Sequence, residues 1–317
     1  MIIEKSAISK IILSGEHAVV YGTPSIAIPV FNCKSYSKID KNNLNDKKII
    51  IKAPQLDKVY SIDKNSLKND ILSGRDNLEP LEITVIYFFE KYNLDLAQDL
   101  IIEIFSEIPI ASGMGSGASI SASIIKSLAE VFNIKITKDE IYQQVFEIEK
   151  IYHGNPSGID PTVIVYEKPV YFIKGKNIEE IKIKEGFVFA IIDSKIKSST
   201  KKVVNWVKEE RNKNILEYDN IFKKIGSITN QVKIELESGD NEKLGFLLNK
   251  NHNLLNKMGV SISELDEIVS LSQKFGAYGS KMSGAGWGGV VISLIDKKNK
   301  DSFTNNFTKL NLDVIIF

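Results

Sequence analysis

The chain has 317 residues, 43% hydrophobic and 26% charged, the profile of a globular protein with room for one large domain or two smaller ones. Its 41 basic and 40 acidic residues leave a net charge of +1, and no Lys/Arg block is interleaved with aromatics, which argues against nucleic acid as a partner. A single cysteine, Cys33, excludes an intrachain disulfide and fits a reducing cytoplasm; no signal-peptide pattern opens the chain, and no apolar run approaches the length of a membrane span.

In chain order, Ile11–Leu13, Ser25–Val30, Lys48–Lys52, Asp99–Phe105 and Val163–Tyr166 are expected as strands. Leu81–Tyr92 and Ser116–Phe132 read as helices, the second on the spacing of Ile120, Ile124, Leu128 and Phe132. Thr137 with Glu140 forms a capping-box pattern that starts a helix over Lys138–Tyr152, striped by Ile141, Val145, Ile148 and Tyr152. The polar stretch Lys174–Glu185 is a candidate boundary. Beyond it, Phe187–Ile192 reads as a buried strand. Ile221, Ile225, Ile228 and Val232 share one helical face, Leu244, Leu247 and Leu248 begin another, and Ser261 with Glu264 caps a third. Gly288–Leu294 and Leu312–Phe317 close the chain as strands. The mixed order of strands and helices predicts an α+β architecture rather than a regular βαβ array.

Four segments carry chemistry. Ile108–Ile120, IPIASGMGSGASI, is a Gly-rich loop between a strand and a helix. Such a loop offers unpaired N–H groups and the positive end of a helix dipole to an anion, and its glycines admit a phosphate close to the backbone. It matches neither the P-loop nor the dinucleotide fingerprint, and a plain tight turn is the competing reading. Lys10–His17, KIILSGEH, sets a lysine before a short apolar strand and an acid–histidine pair after a Gly turn; an ordinary solvated lysine is the bland alternative. His153–Asp160, HGNPSGID, is a tight polar turn after a helix, with Glu149 one turn earlier; it also reads as a simple Asx-type turn. Ser280–Gly289 is a second Gly-rich loop. Two such loops and a third glycine-punctuated turn favour phosphate handling. His252, beside Asn251 on a helix, is expected at the surface or as a satisfied partner rather than a catalyst.

Together these segments resemble the GHMP small-molecule kinases. Lys10–Gly22, KIILSGEHAVVYG, is similar to the family's first motif, Pro109–Ser119 to its phosphate loop, and Lys281–Gly289, KMSGAGWGG, to its third motif. HGNPSGID resembles the segment around the catalytic aspartate in the members that phosphorylate mevalonate, and Ser199-Thr200-Lys201 resembles a segment near the substrate. The resemblance implies a two-domain α+β fold with the active site in the interdomain cleft. The expected division is 1–175, ATP-binding, and 176–317.

The implied activity is ATP- and Mg²⁺-dependent phosphorylation of the 5-hydroxyl of mevalonate, in isoprenoid biosynthesis, by a cytoplasmic homodimer. The implied catalytic residues are Asp160 as base and Lys10 as electrostatic stabiliser. Pro109, Ser112, Gly113, Met114, Gly115, Ser116 and Gly117 would hold ATP. Glu16, His17, Thr200, Ser283, Gly284 and Ala285 would hold mevalonate, with His17 a candidate cationic or N–H partner for its carboxylate. Ser116 and Glu149 would hold Mg²⁺.

The sequence departs from the family at three places. Ala7-Ile8-Ser9-Lys10 stands for Ala-Pro-Gly-Lys, Gly113-Met114-Gly115-Ser116-Gly117 for Gly-Leu-Gly-Ser-Ser, and Trp287 for a common glycine. Other readings are a sugar or phosphomevalonate kinase of the same family, or a non-catalytic ligand-binding relative. Glu16-His17-Ala18-Val19-Val20 lacks the aspartate of the Glu-His-Thr-Asp-Tyr usual in the family's sugar kinases, which disfavours a sugar.

Overall fold

The computed structural model describes residues 2–42, 47–63, 78–153 and 156–317. The chain divides into two compact units. The first comprises Met1–Ser9, Cys33–Ile108 and Gly115–Tyr166; the second comprises Lys10–Asn32, Pro109–Met114 and Glu167–Phe317. Strands β1 (Ile2–Ser14) and β2 (Ser25–Asn42) therefore contribute residues to both. The division nearest to the expected 175/176 boundary falls between Tyr166 and Glu167.

In the first unit β2 pairs with β5 (Asp99–Ser106), β5 runs parallel to β3 (Lys48–Ala53), and β3 pairs antiparallel with β4 (Lys58–Asp63). The register aligns Ile39, Ile102 and Ile51 across three strands, and none of the three is exposed. Period-two alternation thus delivers one apolar face, as β-branched strands with a half-buried register require. Helices α1 (Pro80–Lys91), α2 (Ser116–Val131), α3 (Lys138–His153) and α4 (Ile159–Tyr166) share the core with that face through Phe88, Phe89, Ile124, Leu128, Val145 and Ile164. Helix α2 buries serines as well as aliphatics. Ser119 bonds Ser35 at 2.6 Å and the Ala7 carbonyl at 3.0 Å, and Ser127 donates to the Ser37 carbonyl, so each buried hydroxyl is satisfied. The predicted box at α3 forms: the Thr137 N–H reaches Glu140 at 2.8 Å and the Glu140 N–H reaches the Thr137 hydroxyl at 3.2 Å.

The second unit holds an antiparallel sheet in the order β11 (Val314–Ile316), β8 (Val188–Asp193), β10 (Val290–Ile295), β9 (Ala277–Ser283). Its core joins α5 (Thr200–Lys213), α6 (Ile215–Ser238), α7 (Asn241–Lys257), α8 (Ser263–Lys274) and α9 (Lys300–Thr308) to the sheet. Short strands β6 (Val170–Phe172) and β7 (Glu179–Glu180) extend from Ser25–Ala27 of β2. Among the described residues, no helix is long and apolar enough to cross a membrane.

Three expectations are corrected. Val163–Tyr166 is the end of α4, not a strand: Ile159 and Pro161–Val165 are all buried, and an apolar run this short suits a buried helix as well as a buried strand. Helix α8 starts two residues beyond Ser261; its N-cap is Ile262, and Ser261 instead donates to Asp266 at 2.6 Å. The closing Gly-rich segment stays a loop through Gly289, and β10 begins at Val290.

Candidate active site

Lys10 lies inside β1, not at a solvated strand start. It is 2% exposed, and its Nζ donates to the Gly113 carbonyl at 2.8 Å while its backbone N–H donates to Met114 O at 3.1 Å. The lysine thereby fastens the phosphate-loop candidate to β1. Within that loop Met114 is buried and Ser112 is buried with no hydrogen-bond partner for its Oγ among the described residues. Met114 anchors; any ligand contact it makes comes from its backbone.

The two Gly-rich loops touch within the second unit. Gly113 sits at φ +80, and a Cβ there would stand 3.2 Å from the Gly284 Cα; Gly284 sits at φ +90 with the reciprocal contact at 3.1 Å. Two backbones can approach this closely only without side chains, and positive φ adds a second reason for glycine. The third motif is therefore a support for the phosphate-loop candidate. Ser283 turns inward: its hydroxyl donates to Ile12 O at 2.9 Å and accepts from the Ile12 N–H at 3.2 Å, stitching the motif to β1.

After β1 the chain turns at Gly15 and buries Glu16 and His17, 1% and 7% exposed. Glu16 pairs with Lys281, which also donates to the Met282 carbonyl at 2.5 Å. Burial pushes the Glu16 carboxyl above its ordinary range and pulls the Lys281 ammonium below its own, and each charge opposes the other's shift. Glu16 Oε2 has no hydrogen-bond partner among the described residues. His17 Nε2 donates to Ala285 O at 2.7 Å, which leaves Nδ1 as the acceptor. Burial lowers the ring's pKa to about 4, so it is neutral near pH 7 and its one N–H is engaged. Thr200, the first residue of α5, is exposed.

Lys281 belonged to a quoted motif but had no role in the sequence reading. Its partner lies 265 positions away, and no local pattern signals that pairing. His252 proves to be a satisfied buried partner: Nε2 lies 3.0 Å from Asp266, and Nδ1 accepts from the Met282 N–H at 3.3 Å.

The first unit holds the remaining candidates. Helix α2 begins at Ser116 behind Gly115, an N-cap at φ 76 with no side-chain cap bond. Among the described residues no side chain caps the N–H groups of its first turn, as an anion-binding helix start requires. Ser116 is half-buried and Gly117 exposed, with nothing within 4 Å of a Cβ at residue 117. Glu149 on α3 and Asp160 in the first turn of α4 are both half-buried. The turn before Asp160 depends on Gly158, at φ +88 with a would-be Cβ 3.1 Å from the Phe146 ring. Gly154, Asn155 and the His153 side chain lie outside the described residues.

Comparisons with known proteins agree with this layout of motifs. The GHMP kinases N terminal domain model matches residues 81–168, and the GHMP kinases C terminal model matches residues 232–310. A mevalonate kinase of Methanocaldococcus jannaschii is 32% identical over 100% of this chain and 98% of its own length, and one of Pyrococcus abyssi is 30% identical over 94% and 90%. The crystal structure of the Methanococcus jannaschii mevalonate kinase superposes with a TM-score of 0.85 at 30% identity, covering 100% of this chain and 97% of that one. The motifs, the α+β architecture and a similarity spanning the whole chain place this protein in the GHMP kinase family.

Proposed function

We propose that the protein transfers the γ-phosphoryl group of ATP to the 5-hydroxyl of mevalonate. The observation that carries phosphoryl transfer is the start of α2, a glycine N-cap with no capping side chain behind a loop fastened by Lys10. The acceptor is assigned from the full-length similarity to mevalonate kinases.

In this reading the backbone of 109–117 cradles the nucleotide phosphates. Mg²⁺ travels with the nucleotide and needs only one or two hard protein oxygens, which the Ser116 hydroxyl and Glu149 carboxylate supply. That donor set fits the ion: both are hard oxygen donors on half-buried residues of the first unit. When bound, the ion neutralises phosphate charge. Asp160 accepts the proton of the acceptor hydroxyl, and Lys10 steadies the negative charge developing on that oxygen. Glu16, His17, Thr200 and the 283–285 backbone orient mevalonate. A neutral His17 serves through Nδ1, accepting from a substrate hydroxyl. The substrate carboxylate is then left to the Gly284 and Ala285 N–H groups. A cytoplasmic location, a homodimer and a 1–175/176–317 division belong to the same proposal.

The test is ADP release with mevalonate, galactose, homoserine and phosphomevalonate as acceptors. Turnover with mevalonate is expected, and turnover confined to another acceptor refutes the assignment. Asp160→Asn is expected to lower kcat by roughly 10²–10⁴-fold with little change in the KM for ATP, the loss typical of a removed general base. Near-normal turnover would reduce Asp160 to a turn-forming residue.

A further inference from the structure

The chain contains two tryptophans, and they meet: Trp206 of α5 and Trp287 of the third motif have ring centroids 5.2 Å apart, tilted by 59°. Trp287 holds a left-handed backbone, φ 56, that a bulky residue rarely adopts. It is kept there by two bonds to the turn after α7. Its backbone N–H donates to Val260 O at 2.8 Å and its indole N–H to Gly259 O at 2.9 Å. Trp206 closes over the same turn, since a Cβ on Gly259 would fall 2.6 Å from its ring.

Helix α5 buries little of itself. Of its 14 residues only Val203 and Val207 are buried. Its far end is fixed by Arg211, which grips Asp219 through two nitrogens at 2.7 and 3.2 Å and lies 4.7 Å over the Tyr21 ring. Tyr21 ends the short helical turn that follows Glu16 and His17, and it stacks on Phe222 at 4.5 Å. The connection into α5 is tied to the third motif as well: Ser198 Oγ donates to Gly286 O, and the Gly289 N–H donates to Ile196 O at 2.9 Å. One weakly buried helix thus touches all three segments that carry acceptor-side residues. Thr200 is its own first residue, Trp206 reaches the loop bearing Ala285, and Arg211 reaches the turn bearing His17.

We propose that Trp206 and Trp287 form a clasp that holds α5 against the third motif, and that this clasp positions the acceptor-binding segments without touching the reacting atoms. This rests on the kinase reading above only for the identity of the acceptor. A backbone strained at Trp287 persists because the surrounding bonds over-determine it, which is the pattern of a residue kept for positioning rather than for the fold.

The experiment compares Trp287→Gly, Trp206→Ala and Trp206→Phe. Trp287→Gly relieves the positive φ, which offsets part of what the lost ring contributes to the fold. It is expected to raise the KM for the acceptor about tenfold, with kcat and the KM for ATP changed less than about twofold. Trp206→Ala should match it, Trp206→Phe should recover most of the loss, and the double variant should be no worse than either single one, because the rings act as one unit. A second readout needs no substrate. Hydrogen exchange of residues 16–21 and 199–203, remote in sequence from residue 287, is expected to rise in Trp287→Gly, together with loss of the exciton-coupled indole signal in circular dichroism. Unchanged acceptor KM, or exchange raised only within 283–289, overturns the clasp. Absence of mevalonate turnover in the parent enzyme instead refutes the acceptor assignment; the exchange measurement still decides the clasp.

Discussion

At the scale of single residues, the buried pair Glu16–Lys281 has a large energetic consequence. Both side chains are essentially inaccessible, 1% and 0% exposed, so neither charge can recover hydration. Breaking such a pair from one side leaves an uncompensated buried charge, a cost of about 3–5 kcal/mol, whereas removing both charges is often nearly neutral. Lys281→Met is therefore expected to lower the urea midpoint sharply, and Glu16→Gln/Lys281→Met to regain most of the loss. A double variant as unstable as Lys281→Met would mean that packing, not charge, holds the site. The sequence displayed Lys10, Glu16 and His17 as a pattern because they lie within eight positions of one another. It could not display Lys281 as the partner of Glu16, nor His17 as neutral. Those properties depend on burial by residues more than 260 positions away.

At the scale of elements, legibility followed length and periodicity. Helices α1, α2 and α3 were read to within one or two residues because each repeats its apolar stripe for at least three turns. The short α4 was misread where β-branched residues crowd its end, although Asp160 and Pro161 in its first turn are start signals. Both Gly-rich segments were recognised, although Ser280–Ser283 belong to β9 rather than to the second loop, and their mutual contact was not legible, since nothing local tells that Gly113 faces Gly284. That contact separates two glycines of one motif. Gly113→Ala forces a Cβ to 3.2 Å from Gly284 at a positive φ, so it should part the loops and raise the KM for ATP by at least about tenfold. Gly117→Ala meets nothing within 4 Å in the first turn of α2. It should keep the KM for ATP and stabilise the fold by up to about 1 kcal/mol, because alanine is the better helix former. Equal losses from both substitutions would mean that the loop tolerates no side chain at all, and that the Gly113–Gly284 contact is not what constrains it.

At the scale of the whole molecule, a net charge of +1 conceals a set of buried titrating groups whose protonation is coupled to folding. His17 is the clearest. In the unfolded chain its ring protonates near its ordinary pKa of 6.5; in the fold burial lowers that value to about 4. Between these two values the unfolded state binds more protons than the folded one, so stability is fully present above about pH 6.5 and falls as pH drops toward 4. A shift of this size corresponds to a loss on the order of 3 kcal/mol across the window. The partner of the ring, Ala285 O, holds a charged imidazole more strongly than a neutral one and so opposes the shift, but the desolvation outweighs it. His252 is also lowered by burial, against the opposing pull of Asp266, and adds a slope of the same sign. Urea unfolding at pH 7.5, 6 and 5 separates the two. His17→Asn keeps a polar side chain and removes the titrating ring at this position, φ 58. The variant is expected to lose less stability than the parent between pH 7.5 and 5, retaining the slope that His252 supplies. Parallel curves for parent and variant would place the His17 ring in contact with water and overturn the reading of it as a neutral, buried acceptor.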